Sequence, residues 1–150
     1  RADPAADASS WTMHIGPMSV FGGTADYDID WETLDDAGAA GERFSDVSGW
    51  LGFTDKYWLT ALAPAGNPPM AAEFRRAPSG YQAAYALAPA QVAPGQVMTS
   101  QTRLVAGAKE KKWLDAYEGL GITKLSKAID WGWFEWFMRP IFALLLELFK

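Results

Sequence analysis

Between Trp11 and Ala108, short runs rich in β-branched and aromatic residues alternate with clusters of Gly, Pro, Asp and Asn, the pattern of strands joined by turns. It predicts strands over residues 11–20, 27–34, 49–54, 57–64, 70–76, 81–87 and 96–106. Antiparallel strands of this length imply a β-sandwich. Residues 35–41 (DDAGAAG) and 66–69 (GNPP) cannot sustain a ladder and are predicted loops, and Pro94 with Gly95 marks a further turn. Beyond Gly107 the apolar period lengthens from two to about 3.6. A helix is predicted over 108–118, with Trp113, Leu114, Tyr117 and Leu120 on one side and Gly119 and Gly121 to stop it. Ile122, Leu125 and Ile129 recur at helical spacing, and Thr123 is placed to cap a second short helix.

Residues 130–150 read DWGWFEWFMRPIFALLLELFK. At about 100° per residue, Phe134, Phe137, Met138, Ile141, Phe142, Leu144, Leu145, Leu148 and Phe149 share one arc. Glu135, Arg139, Ala143, Glu147 and Lys150 lie opposite, with Trp136 on their side. Pro140 removes an N–H and predicts a kink or a break into two helices. Such a segment can bury its apolar face in a protein core or lie in a bilayer interface. The grouping of Trp131, Trp133 and Trp136 with an arc of large residues favours the interface, because tryptophan prefers headgroup depth. The polar face is not strongly basic, which leaves apolar burial as the main driving force. The membrane-surface candidates are Trp131, Trp133, Phe134, Trp136, Phe137, Ile141, Phe142, Leu145, Leu148 and Phe149. The longest apolar stretch, residues 140–148, contains Glu147 and falls well short of the roughly 20 residues that cross a bilayer.

Composition adds limits to this picture. With 49% apolar and 21% charged residues among 150, the chain can bury one sizeable core. A net charge of −5 argues against a nucleic-acid partner, since phosphate binding needs clustered Lys and Arg. The absence of cysteine excludes disulfides, thiolate nucleophiles and Cys-ligated zinc. Residues 1–10 (RADPAADASS) hold no apolar run of signal-peptide type, so a start at Arg1 reads as truncated or processed.

Few residues suggest chemistry. Asp26, Asp28 and Asp30 alternate along a predicted strand, where they read as a solvated face; an EF-hand fails because Trp31 and Ala37 occupy its Gly and Glu positions. His14 is the single histidine, which leaves no second base for a relay or a two-His metal site, and no catalytic, metal or cofactor residue is assigned. Asp55 and Lys56 are predicted to turn a hairpin. Trp50, Tyr57 and Trp58 are predicted core residues, with a carbohydrate-stacking platform as the alternative. Lys109, Lys111 and Lys112, around Glu110, read as a solvated helix face or a partner surface.

Three runs carry a resemblance: GWLGFTDKYWLTALAP at 49–64, LVAGAKEKKWLDAYE at 104–118 and AIDWGWFEWFMRPIF at 128–142. In this order they resemble the periplasmic region of the YidC family of bacterial membrane protein insertases. The resemblance spans about residues 45–150, with 1–44 fitting by position and strand-like character. It implies part of a β-super-sandwich over 1–107, a helical connection over 108–130 and an amphipathic membrane-surface helix over 131–150. It further implies a non-enzymatic scaffold at the periplasmic face of the inner membrane, without a cofactor, assisting insertion and folding of membrane proteins alone or with the Sec translocon. The implied partners are the lipid surface, Sec components including SecD and SecF, and nascent membrane proteins. The alternative is a carbohydrate- or peptide-binding β-sandwich, suggested by eight tryptophans.

Overall fold

A computed structural model describes residues 14–129 and, in the C-terminal segment, positions 140, 141, 144, 145, 147 and 148. Strands β1 (Gly16–Phe21), β2 (Thr24–Asp26), β4 (Gly49–Thr54), β5 (Trp58–Pro64) and β8 (Thr102–Ala108) form a five-stranded sheet in the order β2-β1-β4-β5-β8. Strands β3 (Glu42–Val47), β6 (Met70–Ala77) and β7 (Gly80–Leu87) form a three-stranded sheet in the order β3-β6-β7, and all pairings are antiparallel. Helices α1 (Trp31–Ala37) and α2 (Lys111–Gly119) and a 3-10 turn (Leu125–Ala128) complete the described elements. The architecture is an antiparallel β-sandwich followed by short C-terminal helices.

The centre of the five-stranded sheet, β1 and β4, is buried on both faces. Inward, Leu51 and Phe53 meet Met70, Ala72 and Phe74 of the smaller sheet and Leu34 of α1. Outward, Met18, Val20, Trp50, Leu59 and Ala61 pack beneath Leu114, Ile122, Leu125 and Ala128. Double burial explains why β1 (GPMSVF) and β4 (GWLGFT) lack the apolar-polar alternation of a half-solvated strand. Two close geometries need glycine. Gly22 and Gly23 both have positive φ in the two-residue β1–β2 turn, the geometry of a type I′ hairpin. At Gly52 a Cβ would stand 1.8 Å from the Thr60 carbonyl oxygen, so the β4–β5 pair closes only over a bare backbone.

The strands expected at 49–54, 57–64, 70–76 and 81–87 form within one residue of those limits. The strand expected at 27–34 does not form. Asp30 instead caps α1, its Oδ1 accepting from the Thr33 N–H at 2.7 Å, and the helix runs through Asp35 and Asp36 to Ala37, into the expected loop. Strand β3 was not expected, because ERFSDV carries three charges and its pairing slips between Phe44 and Val47. The last predicted strand begins later, at Thr102, after residues 88–101 cross exposed from one sheet to the other.

Candidate membrane and partner interface

The C-terminal layer is held to the sheet by specific polar contacts as well as by its core. The Trp50 indole Nε1–H donates to the Thr123 carbonyl at 3.1 Å, and the Tyr27 hydroxyl donates to the Lys127 carbonyl at 2.7 Å. Glu118 Oε1 accepts from the Ser126 N–H at 2.7 Å, joining α2 to the 3-10 turn. Thr123 is not the expected N-cap. Lys124, in the left-handed region at φ 55°, precedes the turn, and its ammonium donates to the Gly23 carbonyl at 2.9 Å.

Helix α2 starts at Lys111 rather than 108, because β8 continues to Ala108 opposite Trp58 and the Lys109 N–H bonds Tyr57 O. Only Leu114 is fully buried on it. Trp113 and Leu120 project roughly 100–120° around the helix from Leu114 and remain 48% and 63% exposed, so the expected one-sided apolar face is narrower than its pattern. The three candidate lysines do not gather into one patch. The ammonium of Lys109 donates to Thr54 Oγ1 at the end of β4, Lys111 pairs with Asp115 one turn on, and Lys112 lies over the Trp113 ring.

Of the membrane-surface candidates, Trp131, Trp133, Phe134, Trp136, Phe137, Phe142 and Phe149 lie outside the described residues. Ile141, Leu145 and Leu148 are helical and exposed, as is Leu144. Their spacing, i, i+3, i+4 and i+7, sets four large apolar side chains on one helix face, and Leu144 and Leu148 are 61% and 72% exposed. Among the described residues no helix is long and apolar enough to cross a membrane.

Elsewhere, His14 Nε2 contacts the Pro17 carbonyl at 2.6 Å and the ring packs edge-on to Tyr27. Asp26, Asp28 and Asp30 do not share a strand face. Asp26 Oδ1 accepts from the Asp28 N–H in a tight turn, and Asp30 is the α1 cap, its carboxyl held below the ordinary aspartate range first by the Thr33 N–H and then by the Thr33 hydroxyl. The Asp55-Lys56 hairpin forms as expected, with the Asp55 carboxylate on the Lys56 N–H and the Asp55 N–H on Trp58 O. Trp50 is wholly buried, but Tyr57 and Trp58 are not core residues and stand 63% and 60% exposed. Trp58 lines an open cleft of about 1080 Å³ between the sheets, walled by Trp31, Phe53, Tyr81 and the Pro78-Ser79 turn. Within it Asp35 is engaged by Arg76 and by the Tyr81 hydroxyl at 2.8 Å; burial, then that contact, pushes the Tyr81 phenol up.

Comparison with known proteins extends the resemblance along the whole chain. Residues 1–144 match the family model of the YidC periplasmic domain. The chain belongs to the YidC periplasmic-domain family. It is 42% identical over 145 residues to the membrane protein insertase YidC of Zymomonas mobilis, covering 95% of this chain and 25% of that protein. It is 37% identical over 142 residues to the YidC of Beijerinckia indica (92% and 24%), and 35% identical over 157 residues to that of Acidiphilium cryptum (93% and 26%). The chain thus spans about a quarter of the length of these insertases. Within the YidC family, the sandwich and the helical layer described above fall inside the matched region. The exposure of Trp58 and Tyr57 was illegible in the sequence: their aromatic spacing matches core strands, and only the sheet order puts them beside an edge.

Proposed function

We propose that this chain is the membrane-proximal part of the periplasmic domain of an insertase. It lies on the outer face of the bacterial inner membrane and supports insertion and folding of membrane proteins, alone or with the Sec translocon. In this reading residues 1–107 and the helical connection 108–130 form a scaffold, and residues 131–150 form the surface helix. Nascent membrane proteins, lipid and Sec components including SecD and SecF are its partners, and it acts by positioning, with no catalytic residue. The carrying observation is the exposed apolar face of Ile141, Leu144, Leu145 and Leu148 in a chain that belongs to an insertase family. Burying such a face in a bilayer interface is favourable by about 25 cal/mol per Å² of apolar area.

Vesicle flotation tests it. The full chain floats with phospholipid vesicles, whereas a chain lacking residues 131–150, or carrying Leu144→Asp with Leu148→Asp, stays at the bottom of the gradient. Equal flotation of all three rejects the surface-helix reading.

The resemblance also implies that the sandwich is part of a larger one. Among the described residues, β7 and β8 are each the last strand of their sheet and adjoin through Tyr85 and Thr102, and Leu104 and Trp58 beside them face inward and exposed. Further strands added there would extend both sheets and bury both residues.

One observation favours a second reading, a carbohydrate or peptide site: Trp58 stands at the mouth of the inter-sheet cleft beside Trp31 and Tyr81. Calorimetric screening that found a ligand lost on Trp58→Ala would support it. Trp50→Ala is no probe of that site, because Trp50 is in the opposite core.

A further inference from the structure

Charge is divided between the layers of this molecule. Beyond β8, in residues 109–129, Lys109, Lys111, Lys112, Lys124 and Lys127 stand against Glu110, Asp115 and Glu118, a net of +2. Residues 14–108 hold five cations and ten carboxylates, a net of −5. Lys111 spends its charge on Asp115. Lys112 over the Trp113 ring and Lys124 on the Gly23 carbonyl have neutral partners in those contacts and are exposed. The same layer exposes Trp113 and Leu120, an aromatic and an aliphatic side chain among lysines, the composition of a headgroup-contacting surface.

The last described residue of this layer, Ile129, stands two positions before Trp131 in the sequence. At no more than about 3.5 Å per residue, Lys127 stands within roughly 15 Å of any headgroup plane that Trp131 occupies. That is one to two Debye lengths at physiological salt, close enough for the layer to sense surface charge. The opposite orientation would bring the acidic sandwich toward the same surface, where an anionic leaflet repels it.

We propose that α2 and the 3-10 turn form a second membrane contact, selective for anionic phospholipid headgroups, which orients the domain with its acidic sandwich away from the bilayer. This rests on residues 131–150 being a membrane-surface segment. The apolar segment supplies attachment to any phospholipid, and the basic layer supplies preference and orientation.

The test uses the full chain with vesicles of phosphatidylcholine alone or mixed with phosphatidylglycerol. Wild-type protein is expected to bind both and to bind the anionic vesicles more tightly, with the difference erased by high salt. A lysine near an anionic surface is worth about fivefold in binding. Lys112→Gln with Lys124→Gln should therefore reduce anionic binding tenfold or more, leave phosphatidylcholine binding unchanged, and be rescued by Lys112→Arg with Lys124→Arg. Because the chain has no cysteine, a fluorophore can be placed uniquely at Leu120→Cys or at Ala71→Cys on the outer face of the smaller sheet. Only the first should shift to the blue on anionic vesicles.

Equal binding of wild type to both vesicle types overturns the proposal and leaves the surface helix standing. So does an anionic preference that survives the glutamine changes, or an equal shift of both fluorophores. Failure of wild type to bind either vesicle rejects the surface helix, and this inference with it.

Discussion

Trp50 joins two layers through one side chain: its ring fills the core under the C-terminal helices, and its indole N–H holds the loop that leads to the 3-10 turn. Trp50→Ala should cost about 3–5 kcal/mol, and urea unfolding followed by circular dichroism measures it. Trp50→Phe keeps most of the packing but strands the Thr123 carbonyl, so a loss of about 1–2 kcal/mol is expected in the same assay. Asp30 makes a pH-dependent contribution. Its folded-state pKa is lowered by the Thr33 contacts, so its stabilisation is complete above the ordinary aspartate value and is lost as pH falls through the lower folded value. Asp30→Ala should cost about 1 kcal/mol at pH 7, and the gap from wild type should close as unfolding is measured at progressively lower pH below about 4.

At the level of elements, helix α2 and its C-cap separate a packing role from a surface role within two turns of chain. Leu114→Ala opens a cavity beneath the layer and should cost about 2–5 kcal/mol, while Leu120→Ala, at an exposed position, should change stability by less than about 0.5 kcal/mol. Thermal denaturation of the two variants side by side gives the comparison. Element type was readable at two sharply marked turns: Asp55-Lys56 and the 66–69 loop delimit β4, β5 and β6 in the sequence as in the fold. It was unreadable in 27–47. There Tyr27, Ile29 and Trp31 suggest alternation, yet the Asp30 carboxylate closes a helical turn, and β3 pairs through an irregular, charged strand that has no distinct apolar pattern.

For the whole molecule, the edges of β7 and β8, which pair with no further strand among the described residues, and the separation of acidic sandwich from basic layer are the features that relate the chain to its surroundings. If further strands extend both sheets, the outward amides of β7 and β8 should exchange with deuterium more slowly in a chain extended toward the full length of the relatives than in these 150 residues. Equal exchange would mark β7 and β8 as true edges. The helical, exposed apolar positions Ile141, Leu144, Leu145 and Leu148 were legible, because an apolar face of 3.6 period shows in sequence whether or not a partner covers it. The position of Lys109, turned to Thr54, and the neutralisation of Lys111 by Asp115 were not, since both depend on where β8 stops and α2 begins.

The sequence by itself determined the sandwich class, strands β4 to β7 with the turns between them and the change to helix after Gly107, because each depends on local pattern and turn chemistry over a few residues. Only the tertiary structure decided which aromatic residues are core and which are surface. Trp50 and Trp58 sit in adjacent strands with similar neighbours, but Trp50 points to the face closed by the C-terminal helices and Trp58 to the open side beyond the smaller sheet. That difference is set by sheet order and by contacts between residues some 70 positions apart, such as Trp50 with Thr123, which no local pattern encodes.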